Sequence, residues 1–145
     1  MYIGLIDRVL YPKFYHYLRY DLPDVADVKS IRRAFMKYGQ LDHAALKRAL
    51  KWTERPTVNV KGLKGDYGSF QPGIKSNTIN IDSDLVDEFE AGRDWVRNKG
   101  GDKVHLAGVT VLHELIHWAD DQDGSDYKGE EGELFEKRVY GKVLG

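Results

Sequence analysis

The interpretation of this chain starts from residues 104–140, which read VHLAGVTVLHELIHWADDQDGSDYKGEEGELFEKRVY. Within this stretch His113 and His117 are four positions apart, and Glu114 directly follows the first histidine. Residues four apart lie on one face of a helix, so both imidazoles would point to one place. The motif lies in an apolar run, which predicts a helix buried on most sides. Because buried polar side chains need partners, the pattern predicts a metal site.

The residue types at this spacing suit a catalytic zinc ion. Neutral imidazole is a common zinc ligand, and a catalytic zinc site has three protein ligands with the fourth position left to water. Glu114 would reach that water as a general base and would then return the proton to the leaving amine. We therefore expect His113 and His117 to bind one Zn²⁺ ion, and Glu114 to be the catalytic residue.

The third ligand is expected from a second helix that runs from about Glu130 to Leu144. Gly124 and Gly129 indicate that the chain turns back before this helix begins. At 100° per residue Glu136 falls on the buried side of the helix, whereas Glu130 falls outside that side. A glutamate on a buried face needs a partner, so Glu136 is the preferred third ligand.

Further groups are needed around such a centre. A tetrahedral oxyanion requires a hydrogen-bond donor from outside the metal ligands. Tyr127 and Tyr140 are near in sequence, and we take Tyr140 as the candidate oxyanion donor. Asp120 is a candidate for the carboxylate that orients a histidine N–H group.

The H-E-x-x-H spacing at 113–117 resembles that of the zincin metallopeptidases. Glu136, eighteen intervening residues after His117, is similar in spacing to the third ligand of the gluzincin clan. Glu131 is the alternative third ligand, because its acid-glycine pair resembles the third-ligand segment of other gluzincin-like families. Asp123 is a further possibility, because its spacing resembles that of metzincin-like enzymes, although Asp120 stands where those families have glycine.

The strings HELIHWADDQDG and GEEGELFEKRVYG resemble the compact metallopeptidase domains of bacterial toxins and secretion-system effectors, over roughly residues 77–141. The resemblance implies a secreted bacterial effector peptidase that acts in the periplasm or cytoplasm of a target cell. Its substrate would be a protein or a cell-wall peptide, and its partners an immunity protein or secretion machinery. Two alternatives stay open: a peptidoglycan amidase or endopeptidase with the same zinc centre, and a catalytically silent zincin-fold binding module.

Length and composition limit the class of protein. With 145 residues, 41% hydrophobic and 31% charged, the chain is predicted to be one globular domain. It has no cysteine, which excludes thiol nucleophiles and cysteine-ligated zinc. Neither a signal peptide nor an apolar window long enough for a membrane span is recognised. We therefore expect no membrane span, and any export would need a dedicated secretion system.

The charge is unevenly distributed along the chain. Residues 1–64 hold 13 Lys/Arg and 6 Asp/Glu, or +7, whereas residues 65–145 hold 9 and 17, or −8, which together give the net charge of −1. The basic residues recur at helical spacing, which favours a solvated helix face, and no nucleic-acid partner is predicted.

The expected fold class is α+β with a zincin-like arrangement. Residues 1–55 would form a helical scaffold, 56–82 a small and mainly antiparallel sheet, and 102–145 the metal-site helices. Glycines at 92, 100 and 101 predict an irregular linker, and Asp102 would cap the central helix. We expect the strand from Thr78 to Ile81 to be an exposed edge that could hold a substrate backbone by strand addition.

Overall fold

The computed structural model describes residues 1–53, 55–73, 77–122 and 130–145. Its architecture is α+β, in agreement with the prediction. No helix within these ranges is long and apolar enough to cross a membrane.

The first third of the chain is mainly helical. Two short helices, α1 (Leu5–Leu10) and α2 (Pro12–His16), lead through a π-helical turn and a 3-10 turn into α3 (Lys29–Tyr38) and then α4 (His43–Leu50). α3 buries one face, formed by Ile31, Ala34, Phe35 and Tyr38. At the start of α4, the carboxylate of Asp42 accepts a hydrogen bond from the Ala45 N–H group at 2.8 Å, an N-cap that fixes where this helix begins.

The main sheet is mixed rather than mainly antiparallel. It contains β1 (Tyr2–Ile3), β2 (Thr57–Lys61), β3 (Gly68–Phe70) and β4 (Thr78–Asp82) in the order β1-β2-β4-β3. The β1–β2 and β2–β4 pairs are parallel, and only β3–β4 is antiparallel. The expectation was wrong because an alternating pattern identifies a strand but does not encode the direction of its neighbour.

The exposed edge beside the central helix belongs to β3. The expectation that the strand from Thr78 to Ile81 forms this edge was wrong, because β4 has β2 on one side and β3 on the other. Gly68, Ser69 and Phe70 pair with Ile81, Asn80 and Ile79 of β4. The second side of β3 has no strand partner in the part of the chain that the structure describes.

The segment before the central helix is more regular than expected. After α5 (Ser83–Glu90), β5 (Trp95–Arg97) and β6 (Lys103–His105) form an antiparallel hairpin where a linker was predicted. The central helix α6 (Leu106–Gln122) starts after β6, so Asp102 does not cap it. Asp94 caps α6 instead. Its carboxylate accepts a hydrogen bond from the Ala107 N–H group at 3.0 Å, and its main-chain carbonyl accepts one from the Leu106 N–H group at 3.1 Å.

The central helix α6 lies in the middle of the core. The residues on most sides of it are buried, as the apolar run predicted. The last helix, α7 (Glu131–Tyr140), packs on both α6 and α3. The contact with α3 includes Phe135, whose ring centroid is 5.4 Å from that of Phe35. The contact with α3 therefore holds α7 in place beside α6.

Candidate metal centre

His113 and His117 project from one face of α6 toward the beginning of α7. The Oε1 atom of Glu130 lies 2.6 Å from Nε2 of His117 and 3.5 Å from Nε2 of His113. One potential ligand atom from each of these three side chains lies within 4.8 Å of the others. Within the described ranges, this is the group of histidine and acidic side chains that could hold a metal ion.

Glu130 is placed by the way in which α7 begins. It is the N-cap residue of that helix, and its Oε2 atom accepts the Glu133 N–H at 2.5 Å. One carboxylate oxygen thus satisfies a free N–H group of the first helical turn, while the other faces the histidines. The side chain is 44% exposed.

The second nitrogen of each imidazole contacts another carboxylate of α7. Nδ1 of His113 is 2.5 Å from Oε2 of Glu136, and Nδ1 of His117 is 2.6 Å from Oε1 of Glu131. Both glutamates are buried. Histidine ligands are usually oriented by such a contact, which fixes the tautomer and turns Nε2 toward the metal.

Glu136 and Glu131, the predicted third ligand and its alternative, therefore lie on the Nδ1 side of the two rings. They do not belong to the group formed around the two Nε2 atoms, which contains Glu130 instead. Asp123, the further possibility, and Tyr127 lie outside the described residues. The carboxylates that contact the Nδ1 atoms of His113 and His117 are those of Glu136 and Glu131. The orienting role expected of Asp120 stays a prediction.

The charges of this cluster affect one another. Burial lowers the pKa of His113, but the hydrogen bond with Glu136 and the nearby carboxylates outweigh burial and raise this pKa above its usual value. For Glu136, burial raises the pKa, but the hydrogen bonds from His113 and from the main-chain N–H groups of Leu144 and Gly145 lower it below its usual value. The pair thus favours a charged carboxylate and, without a metal, a charged imidazole.

Glu114 lies beside the two histidines and is buried. Burial raises the pKa of its carboxyl group, and the two imidazoles oppose this effect in part. Gly68 of β3 passes directly over it: a Cβ atom on Gly68 would lie 2.8 Å from Cγ of Glu114 and 2.8 Å from Cγ2 of Thr110. The edge strand therefore closes one side of the carboxylate without a side chain.

These residues border an open cleft of about 620 Å³. One wall comes from the edge strand and its flanks, the other from α6 and the start of α7. The lining residues are Asp66, Gly68, Ser69, Phe70, Pro72, His113, Glu114, His117, Asp120, Asp121, Glu130 and Glu131. Six of them are acidic and none is Lys or Arg among the residues that the structure describes, so the cleft is suited to cationic rather than anionic ligands.

The candidate oxyanion donor Tyr140 does not line this cleft. It packs against Phe135, with ring centroids 6.0 Å apart, and burial raises the pKa of its phenol. Tyr67, which the sequence analysis did not single out, lines an adjoining pocket of about 180 Å³ together with His113 and Glu114. It lies in an irregular glycine-rich segment, where no periodic pattern signals a functional position.

The donor set fits a metal ion. Two imidazole nitrogens and one carboxylate oxygen converge from fixed elements, and each imidazole has a carboxylate on its other nitrogen. The open side of the group faces the cleft, with Glu114 beside it. Three protein ligands with an open fourth position are typical of a catalytic rather than a structural site.

The model of a family described as Metallopeptidase toxin 3 matches residues 7–141. No curated protein and no solved structure matches significantly.

Proposed function

The chain belongs to the Metallopeptidase toxin 3 family, and from this we propose that it is a zinc-dependent peptidase in which Glu114 is the general base. The observation that carries the proposal is the convergence of the His113 and His117 Nε2 atoms on one carboxylate oxygen, beside Glu114 and within an open cleft. The arrangement of active-site helix, edge strand and ligand-bearing helix is zincin-like in this proposal.

We propose Glu130, rather than Glu136, as the third ligand. Its Oε1 atom is in reach of both Nε2 atoms, whereas the Glu136 carboxylate is engaged with Nδ1 of His113. Two imidazoles and one carboxylate form the ligand set of many catalytic zinc sites. Glu136 and Glu131 then hold the two rings in the orientation that metal binding requires.

A bound zinc ion would polarise the scissile carbonyl group and lower the pKa of a water molecule toward neutrality. Glu114 would take the proton of the attacking water and later transfer it to the leaving amine. Because burial raises the pKa of Glu114, its carboxylate is a stronger base than an exposed glutamate. Gly68 packs so closely on Glu114 that the glutamate side chain has no room to move toward β3.

The substrate in this proposal is an extended polypeptide. The free edge of β3 forms one wall of the cleft, where a substrate strand could form main-chain hydrogen bonds with it. The acidic lining gives no cationic group, within the described residues, for the anionic parts of a cell-wall ligand. The cleft therefore favours a protein substrate over peptidoglycan.

Membership of a toxin family also suggests the biological setting. We propose a bacterial toxin domain that is delivered by a dedicated secretion system and is opposed in the producing cell by an immunity protein. The position of Glu114 at the cleft supports a catalytic domain over a silent binding module with the same fold.

The proposal is tested by zinc stoichiometry and peptide hydrolysis in the wild type and in Glu114→Gln. We expect one zinc ion per chain in both, and a loss of hydrolysis of at least about 100-fold in Glu114→Gln, in the range of general-base contributions. Glu133→Gln, an exposed change on α7, is the control and should remain active. Unchanged hydrolysis in Glu114→Gln, or no zinc in the wild type, would refute the mechanism.

A further inference from the structure

The carboxylate of Glu136 is fixed by two different parts of the chain. Its Oε2 atom contacts Nδ1 of His113 at 2.5 Å. Its Oε1 atom accepts hydrogen bonds from the main-chain N–H groups of Leu144 at 2.8 Å and Gly145 at 3.0 Å. Since Glu136 is only 1% exposed, these contacts rather than water determine where the carboxylate lies. The segment after α7 thus reaches the metal centre through one intermediate side chain.

The chain reaches Glu136 through a sharp reversal after α7. Gly141 has a φ angle of +82° and lies in the left-handed region, and its N–H donates to the Lys137 carbonyl at 3.1 Å. The Tyr140 carbonyl accepts the Lys99 N–H at 2.9 Å. A Cβ atom on Gly141 would lie 2.6 Å from Cβ of Lys99. Glycine is therefore required here both for the left-handed conformation and for the close approach of the β5–β6 hairpin.

From this geometry we propose that the main-chain N–H groups of Leu144 and Gly145 are positioning groups for the metal centre. They hold the Glu136 carboxylate against His113, and the carboxylate in turn directs His113 Nε2 toward the metal. This inference rests on the proposed metal site, but it makes a separate claim: residues 144 and 145 act through their main chain and touch neither metal nor substrate. Loss of such supporting contacts typically weakens metal binding about 10- to 100-fold.

A purely structural role of the segment predicts something different. The Leu144 side chain packs against the core, so the segment could merely add apolar contacts. In that case side-chain truncation would matter and removal of an N–H group would not. Proline removes the N–H donor, whereas alanine retains it, so the two substitutions at one position separate these roles.

The experiment measures zinc affinity by competition with a chromophoric chelator in the full chain. We compare Leu144→Pro with Leu144→Ala, and Gly145→Pro with Gly145→Ala. An alanine Cβ at position 145 would have only ordinary contacts, 3.7 Å from the Tyr67 ring and 3.8 Å from Glu136. Each proline variant should bind zinc about tenfold more weakly than its alanine partner. We also label the histidines with ¹⁵N in the zinc-loaded variants. The Nδ1 proton of His113 should exchange with water faster in each proline variant than in its alanine partner.

The outcomes separate the inference from the proposed function. If the wild type binds zinc and both proline variants bind it within twofold of their alanine partners, with an unchanged His113 proton, the positioning role is refuted. If the wild type binds no zinc, the proposed metal site itself fails. Should Leu144→Pro fail to fold, the exposed Gly145 pair alone decides. As a control for folding, the thermal midpoints of metal-free Gly145→Pro and Gly145→Ala should agree with each other.

Discussion

Gly132 lies directly against the imidazole ring of His113. A Cβ atom at position 132 would be 2.2 Å from Nε2 and 2.4 Å from Cδ2 of that ring, far inside van der Waals contact. The first turn of α7 can therefore approach the proposed metal ligand only because residue 132 has no side chain. The same approach brings Glu130 and Glu131, the two residues before it, to the histidines.

We predict that Gly132→Ala displaces either the His113 ring or the first turn of α7. Alanine favours a helix over glycine by about 1 kcal/mol, so propensity alone would make this change stabilising. We expect instead a loss of about 1–3 kcal/mol in the free energy of unfolding from overpacking, and a loss of zinc affinity of at least tenfold. Chemical denaturation of metal-free protein and a chelator competition measure the two effects.

Gly62→Ala is the control for this change, because a Cβ atom at position 62 would meet nothing within 4 Å. It should leave both quantities close to those of the wild type. Zinc affinity in Gly132→Ala equal to that in Gly62→Ala would contradict the close packing of α7 on His113.

The second prediction ranks the three glutamates that contact the two histidines: Glu130, Glu131 and Glu136. We expect Glu130→Gln to lose zinc most strongly, because it removes the charge of a proposed ligand. Glu136→Gln and Glu131→Gln should weaken binding by about 10- to 100-fold each, because they loosen the contacts to Nδ1 of His113 and His117. Metal content after dialysis against a graded series of chelator concentrations measures the order.

Glu133→Gln serves as the matched control on the same helix, since this side chain is exposed. If Glu136→Gln released zinc completely while Glu130→Gln retained it, Glu136 rather than Glu130 would be the third ligand. Glu130→Asp adds a test of reach, because it keeps the charge but shortens the side chain.

The third prediction concerns the strand that covers Glu114. Gly68→Ala places a Cβ atom 2.8 Å from Cγ of Glu114 and from Cγ2 of Thr110. We expect kcat for peptide hydrolysis to fall by about 100-fold, the effect of a displacement near 1 Å in a catalytic group, with zinc affinity unchanged. Thr110→Ser removes one of the two contacts and should restore part of the activity in the double variant. An active Gly68→Ala enzyme would show that Glu114 tolerates the displacement.

The helix that carries the histidines could be predicted because its signals are local. The apolar run predicted that α6 is buried, and the four-residue separation of His113 and His117 predicted that they lie on one face. The buried position of Glu136 followed from the same periodicity. The periodicity did not predict that Glu136 contacts Nδ1 of His113 rather than the Nε2 side. Helix phase gives the face on which a side chain lies, but not the atom of its partner that it contacts.

The features that sequence reasoning missed depend on long-range contacts or on helix ends. Glu130 is an N-cap residue, outside the first helical turn, so the 100° rotation that placed Glu136 does not describe its direction. Asp94 caps α6 from the far side of a hairpin, 13 positions before Ala107. β4 pairs on its second side with β3, which precedes it in the chain. None of these contacts leaves a periodic signal.

The last prediction is that the stability of the metal-free protein and the stabilisation by zinc depend on pH in opposite directions. The folded pKa of His113 is raised, so its stabilising contribution is complete below about pH 6.5, the usual histidine value, and disappears as the pH rises through the folded value. The raised pKa of Glu114 acts in the same direction, since ionising this buried carboxyl costs stability. We therefore expect the thermal midpoint of metal-free protein to fall between pH 5.5 and pH 8.

Zinc needs neutral imidazoles and ionised carboxylates, so its binding releases protons and strengthens with pH. The rise in thermal midpoint on adding zinc should accordingly grow from pH 5.5 to pH 8 at constant ionic strength, as measured by calorimetry with and without a chelator. Glu136→Gln removes the carboxylate that raises the His113 pKa, and should flatten the decline in the metal-free protein. A rise in thermal midpoint on adding zinc that stays constant with pH would show that zinc binding does not release a proton from the site.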